Sequence, residues 1–167
     1  MMRALADYWA TEYDWRLQVP SLGHRPRSYA QPRWSGKEDL AGKTILVYSE
    51  QGLGDTIQFC RYVPLLLKLN ARVLFMPQRP LCALMTTLGE DINIVEDGRP
   101  LPSFDYHYPL MSLPLAVQTT LDSIPCQVPY LSADPARSAE WRRRLGDGGF
   151  KIGIAWHSVA MGKRIEK

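Results

Sequence analysis

Apolar residues recur along this chain in two rhythms, and the change between them marks its organisation. Within residues 1–19, residues 2–17 read as an amphipathic helix: Met2, Leu5, Ala6, Trp9, Tyr13 and Leu17 fall at three- and four-residue steps, the spacing of one helix face. Pro20 ends that pattern, and residues 20–43 read as a connector with Pro20, Pro26 and Pro32 and no clear period. From Thr44 the rhythm shortens. Thr44-Ile45-Leu46-Val47-Tyr48-Ser49 is a nearly continuous apolar run, as expected of a strand buried on both faces.

The pattern then predicts a helix over 55–70, a strand over 72–76, a helix over 81–88, and strands over 92–95 and 104–107. Pro64 removes one helical bond, to the carbonyl of Cys60, so the first helix should kink. Residues 117–124 read as a short helix and 128–131 as an edge strand. The next helix, 135–145, carries its own end signals: Asp134 as N-cap, Pro135 at the first position and Gly146 just past the end. Residues 151–156 read as one more strand. Strands alternating with helices predict a Rossmann-like, three-layer α/β/α domain over 44–150 with a mainly parallel sheet, preceded by a helical arm.

Composition narrows the function classes. A chain of 167 residues supports one core, and a net charge of +3 is too small to argue for a nucleic-acid partner. The basic excess is local: residues 135–167 hold eight Lys/Arg against three Asp/Glu. No apolar run is long enough to span a bilayer, and no apolar signal core follows the N-terminus. Cys60, Cys82 and Cys126 form no CxxC pair, which argues against a zinc site or a disulfide framework and for a reducing cytoplasm.

The chemically suggestive stretch is Ser49-Glu50-Gln51-Gly52-Leu53-Gly54-Asp55-Thr56-Ile57-Gln58, where the first strand hands over to the first helix. Ligands of open α/β sheets bind beyond the carboxyl ends of the strands, and Gly52 and Gly54 let a ligand approach the backbone closely. Neither phosphate fingerprint is present, since position 57 is Ile and no G-x-x-x-x-G-K-[ST] occurs. Asp55 reads both as a helix cap, paired with Gln58 three residues on, and as a catalytic carboxylate; the two roles are compatible.

At this loop a resemblance becomes specific. Glu50-Gln51-Gly52-Leu53-Gly54-Asp55-Thr56-Ile57-Gln58-Phe59 with Arg61-Tyr62-Val63-Pro64 resembles the start of the glycosyltransferase domain that follows tetratricopeptide repeats in many bacterial proteins. That domain is similar to the heptosyltransferases, glycosyltransferase family 9. Tyr13-Asp14-Trp15-Arg16 resembles the end of the last repeat helix. Trp34-x-Gly36 with Leu40-x-Gly42-Lys43-Thr44 resembles the lead into the first strand, and Tyr108 to Pro114 and Ile124 to Leu131 also match.

The resemblance, covering roughly residues 8–156, implies the N-terminal half of a GT-B fold, in which two Rossmann-like domains face each other. It implies a metal-independent inverting transfer of a sugar from a nucleotide-sugar to an acceptor hydroxyl, with no cofactor. Asp55 is then the general base, and Gln51, Gly52, Gly54, Thr56 and Gln58 contact the acceptor or the transferring sugar. Separately from the resemblance, His107 and Ser112 read as lying just after a strand on the ligand side, where they would touch acceptor hydroxyls, with a structural hydrogen bond to the backbone as the other reading of His107. Residues 151–167 would be the first strand of a second domain, of about 100–150 residues, and a tail. The donor-binding half is absent from these 167 residues, so the chain alone is expected not to turn over.

Two other readings stay open: a non-catalytic binding or scaffold module that retains the fold, and another nucleotide-binding Rossmann protein. His157, Lys163 and Arg164 read as a solvated tail or as remnants of a phosphate loop. Arg142-Arg143-Arg144 read as a solvated helix end placed favourably for the helix dipole. The aromatic face of the first helix, with Trp9, Tyr13 and Trp15, is a surface for packing on a repeat or for self-association.

Overall fold

In a computed structural model, which describes residues 13–19, 27–146 and 148–154, the apolar run after Lys43 forms strand β1 (Thr44–Tyr48). Its last four residues are buried, because β1 is flanked by a strand on each side. The others are β2 (Arg72–Met76), β3 (Ile92–Ile94) and β4 (Tyr106–Pro109), in the order β3-β2-β1-β4 and all parallel. This is the expected α/β, Rossmann-like architecture. The register sets Leu46 beside His107 and Val47 beside Tyr108, and a parallel bridge between Arg33 and His107 adds a short connector segment outside β4.

The first crossover holds α1 (Leu53–Phe59), a 3₁₀ turn (Cys60–Tyr62) and α2 (Val63–Leu67) in place of one continuous helix. Pro64 sits at the second position of α2, where its missing N–H costs least, so the break falls just before it. The second crossover, read as a helix over 81–88, is α3 (Cys82–Met85) with 3₁₀ turns at Arg79–Leu81 and Thr86–Leu88.

These helices and α4 (Leu113–Ala116) bury Cys60, Val63, Leu66, Leu81, Met85 and Leu113 against Ile45, Val47, Val73 and Phe75 on one sheet face. On the other face Leu46, Tyr48, Leu74 and Met76 pack with Tyr29, Val95, Leu101 and Phe104. The chain must step back from β3 past β2 and β1 to reach β4. A right-handed crossover in that reversed direction runs over the opposite face, which is why residues 95–104 cover it.

Several expectations change. Residues 117–124 are not a helix: α4 precedes them, Val117 ends it, and only Leu121–Ser123 makes a 3₁₀ turn. Residues 128–131 form no strand, and Val128 is exposed. β4 begins two residues later than the pattern suggested, because Phe104 packs on the second face instead of joining the ladder. Of the helix read over residues 2–17, the described part is a 3₁₀ helix, Tyr13–Gln18; residues 1–12 lie outside the described residues.

The chain divides into two units, Met1–Ser132 and Ala133–Lys167. In the second, α5 (Pro135–Leu145) has the expected ends: the Asp134 carboxylate accepts from the Arg137 N–H at 2.7 Å, and Gly146 follows with φ +68°. Arg143 and Arg144 both pair with Glu140 on its solvated surface. Residues 151–154 are not a strand: Ile152 and Ile154 are exposed, and a strand requires a ladder partner. Residues 155–167, with His157, Lys163 and Arg164, lie outside the described residues. No helix among the described residues is long and apolar enough to cross a membrane.

Candidate functional site

The sheet changes direction between β1 and β4, since the chain winds from β1 to β2 and β3 and then returns to the far side of β1. Such a switch point leaves a crevice outside the carboxyl ends of the two strands, the usual ligand position in open α/β sheets. The loop after β1 and the turn after β4 both emerge there, carrying Glu50 to Asp55 and Ser112 respectively.

Arg16 occupies this place. It is 5% exposed; its Nη1 donates to the Tyr13 carbonyl and to Asp14 Oδ1, both at 3.0 Å, and its Nη2 donates to Ser112 Oγ at 2.9 Å and to Glu50 Oε1. Ser112, itself buried, donates its Oγ–H to Asp14 Oδ1, and Arg33 also donates to Asp14. Burial alone would raise the Asp14 carboxyl; the hydrogen bonds from Ser112 and Arg33 outweigh it and hold it below its usual value. Arg16 also lies over the Tyr13 ring, 4.3 Å from its centroid. A buried arginine is costly unless its charge is matched, and here the carboxylates, the Tyr13 carbonyl and the Ser112 hydroxyl engage both terminal nitrogens while Nε makes no hydrogen bond.

The loop after β1 is held from two directions. Gln51 Nε2 donates to Tyr13 Oη at 2.8 Å, so this expected substrate contact is turned toward the 13–18 segment. Burial pushes the Tyr13 phenol up, with the Gln51 hydrogen bond pulling the other way. From the β2 side, Gln78 Nε2 donates to the Gln51 carbonyl at 2.6 Å and lies 3.3 Å from the Gly52 carbonyl.

Asp55 is the third residue of α1, and Gly52 takes the N-cap position with an extended backbone, φ −69° and ψ 166°. This corrects the reading of Asp55 as N-cap paired with Gln58. Glycine has no side chain to cap with, so only the return half of a capping box forms: the Gly52 N–H donates to Asp55 Oδ2 at 3.0 Å. Asp55 as a whole is half-buried.

The remaining candidates fall in different surroundings. Gly54 is exposed, with open space where a Cβ would stand, whereas Thr56 is 1% exposed and Gln58 faces solvent. His107 lies within β4 instead of after it. Its ring sits 4.9 Å from Tyr29 and 5.9 Å from Tyr48, on the second face of the sheet, and its Nδ1 makes no hydrogen bond. Burial, and secondarily the charge of Arg33, push its imidazole below the ordinary histidine value. Ser112 belongs to the Arg16 network. Arg16 and Glu50 stand in the sequence only inside the quoted motifs, with no site role, and Gln78 is not singled out; the one signal is a charged Glu50 two residues after a strand whose last four residues are buried. Among the described residues no group of three His, Cys, Asp or Glu side chains is arranged to hold a metal ion.

Among known proteins, Protein FlbA of Caulobacter vibrioides is 28% identical to this chain over 166 aligned residues, which take in 85% of this chain and 27% of FlbA. The chain thus spans little more than a quarter of that relative's length. No family model matches the chain, and no solved structure matches it.

Proposed function

We propose that this chain is the acceptor-side half of a metal-independent inverting GT-B glycosyltransferase, related to the heptosyltransferases and working in the cytoplasm. Asp55 takes the proton from an acceptor hydroxyl, on a sugar or a protein, as that oxygen attacks the anomeric carbon and the nucleoside diphosphate departs. Donor binding falls to the second Rossmann-like domain of the GT-B arrangement. The observation that carries this reading is the partly exposed Asp55 in the first turn of α1, the helix that follows β1 beside the β1–β4 switch point. The adjacent open space at Gly54 leaves backbone for an acceptor to approach.

One observation favours a second reading, a non-catalytic binding or scaffold module: Arg16 already bridges Glu50 after β1 and Ser112 after β4, across the switch point. Amide NMR separates the readings. The ¹⁵N-labelled chain is titrated with simple hexoses and N-acetylhexosamines, then with UDP- and GDP-sugars. The proposal expects shifts confined to residues 51–58 with the sugars and none with the nucleotide-sugars. Shifts in that loop with nucleotide-sugars alone would instead mark a different nucleotide-binding Rossmann protein, and no response to any sugar would favour the scaffold.

A further inference from the structure

Gln78 stands just beyond the carboxyl end of β2, and its main chain is anchored there: its carbonyl accepts from the Leu81 N–H at 2.8 Å as the next 3₁₀ turn begins. From that anchor the side chain reaches to the loop after β1. Its Nε2 donates to the Gln51 carbonyl at 2.6 Å. That carbonyl and the Gly52 N–H are the two ends of a single peptide group, and the N–H end donates to Asp55 Oδ2 at 3.0 Å. A trans peptide is planar and stiff, so fixing the direction of its oxygen fixes the direction of its N–H. We infer that Gln78 is a positioning residue for Asp55, acting through the Gln51–Gly52 peptide.

The chemistry of the amide supports this direction of action. Turned over, Gln78 would set Oε1 against two carbonyl oxygens, so the donor must face the loop. A donor on the carbonyl also polarises the peptide and makes its N–H a stronger partner for a carboxylate. Space is close on the same side, since a Cβ at Gly52 would stand 3.1 Å from Asp55 Oδ2. The carboxylate is therefore held at a set angle by a peptide that is itself held by the neighbouring strand.

The inference rests on the reading of Asp55 as the base, and its test is read independently of transfer. In the ¹⁵N-labelled chain, Gln78→Met removes the donor at similar length. The Gly52 amide should then exchange with solvent about tenfold faster, the effect of losing about one hydrogen bond, while the β1 amides keep their protection. Gln78→Asn, one methylene too short but still polar, should do the same and serves if Gln78→Met loses β1 protection. Gln78→Lys, which keeps an N–H donor, should return the rate to within about threefold of the parent. In the protein joined to its donor half, Gln78→Met should lower kcat about tenfold with KM for the acceptor unchanged. Unaltered Gly52 exchange in a variant whose β1 stays protected overturns the inference and leaves the role of Asp55 standing. Transfer indifferent to Asp55→Asn removes that role, and the exchange result still decides whether Gln78 and Asp55 are coupled.

Discussion

The guanidinium of Arg16 lies against the carboxylate of Glu50, 34 positions along the chain, with only 4% and 7% of the two side chains exposed. This contact ties the Tyr13–Gln18 helix to the carboxyl end of β1 and, through Ser112 and Asp14, to the turn after β4. A segment read from sequence as the close of a helical repeat thereby forms one wall of the candidate site.

Removing Arg16 takes a buried counter-charge from the Glu50 carboxylate and from Asp14. Arg16→Met should therefore destabilise the fold by about 3–5 kcal/mol in urea unfolding, and the double variant with Glu50→Gln should recover a large part of that loss. A loss under about 1 kcal/mol would place this pair with ordinary surface bridges.

His107 makes stability depend on pH. Its folded-state value is lowered by burial, so the unfolded chain binds the proton more readily. The stabilisation is complete above about pH 6.5, shrinks as pH falls from there toward the lowered value, and levels off below it. His107→Phe should flatten that limb of the urea midpoint against pH. Asp14 and Asp97, both held low, act in a separate acid window below about pH 4. A slope between pH 6.5 and 5 that survives His107→Phe would assign it elsewhere.

Gly52, the N-cap of α1, and Gly54, inside it, should respond differently. Gly54 lies within α1 with open space around it, so Gly54→Ala should stabilise by about 0.5–1 kcal/mol through helix propensity. Gly52→Ala keeps an accessible backbone conformation but crowds Asp55 Oδ2, and should alter the Gly52–Asp55 hydrogen bond while changing stability by less than about 1 kcal/mol. Thermal unfolding measures the first effect and the Gly52 amide shift the second.

How legible these features are in the sequence depends on how each residue is stabilised. β1 and β2 are buried on both faces, and their apolar runs announce them with almost the right ends. β4 is masked because Phe104 extends its apolar run while Pro109, which reads as a terminator, completes the ladder. Asp55 is visible through its glycines, but its step inside the helix is not, since Gly52 can take the cap position with an ordinary extended φ. Arg16 meets Glu50, and Gln78 meets Gln51, only in three dimensions. No local spacing encodes contacts across 34 or 27 positions, so their role emerges only once the sheet order is known.

The most direct test concerns Asp55 itself. In the polypeptide joined to a donor-binding half, release of UDP or GDP is followed with and without acceptor, for the parent and for Asp55→Asn. If Asp55 is the base, acceptor-dependent release falls by about 10²–10⁴ in Asp55→Asn while the unfolding midpoint moves little. Acceptor-dependent release persisting at the parent rate in Asp55→Asn contradicts it.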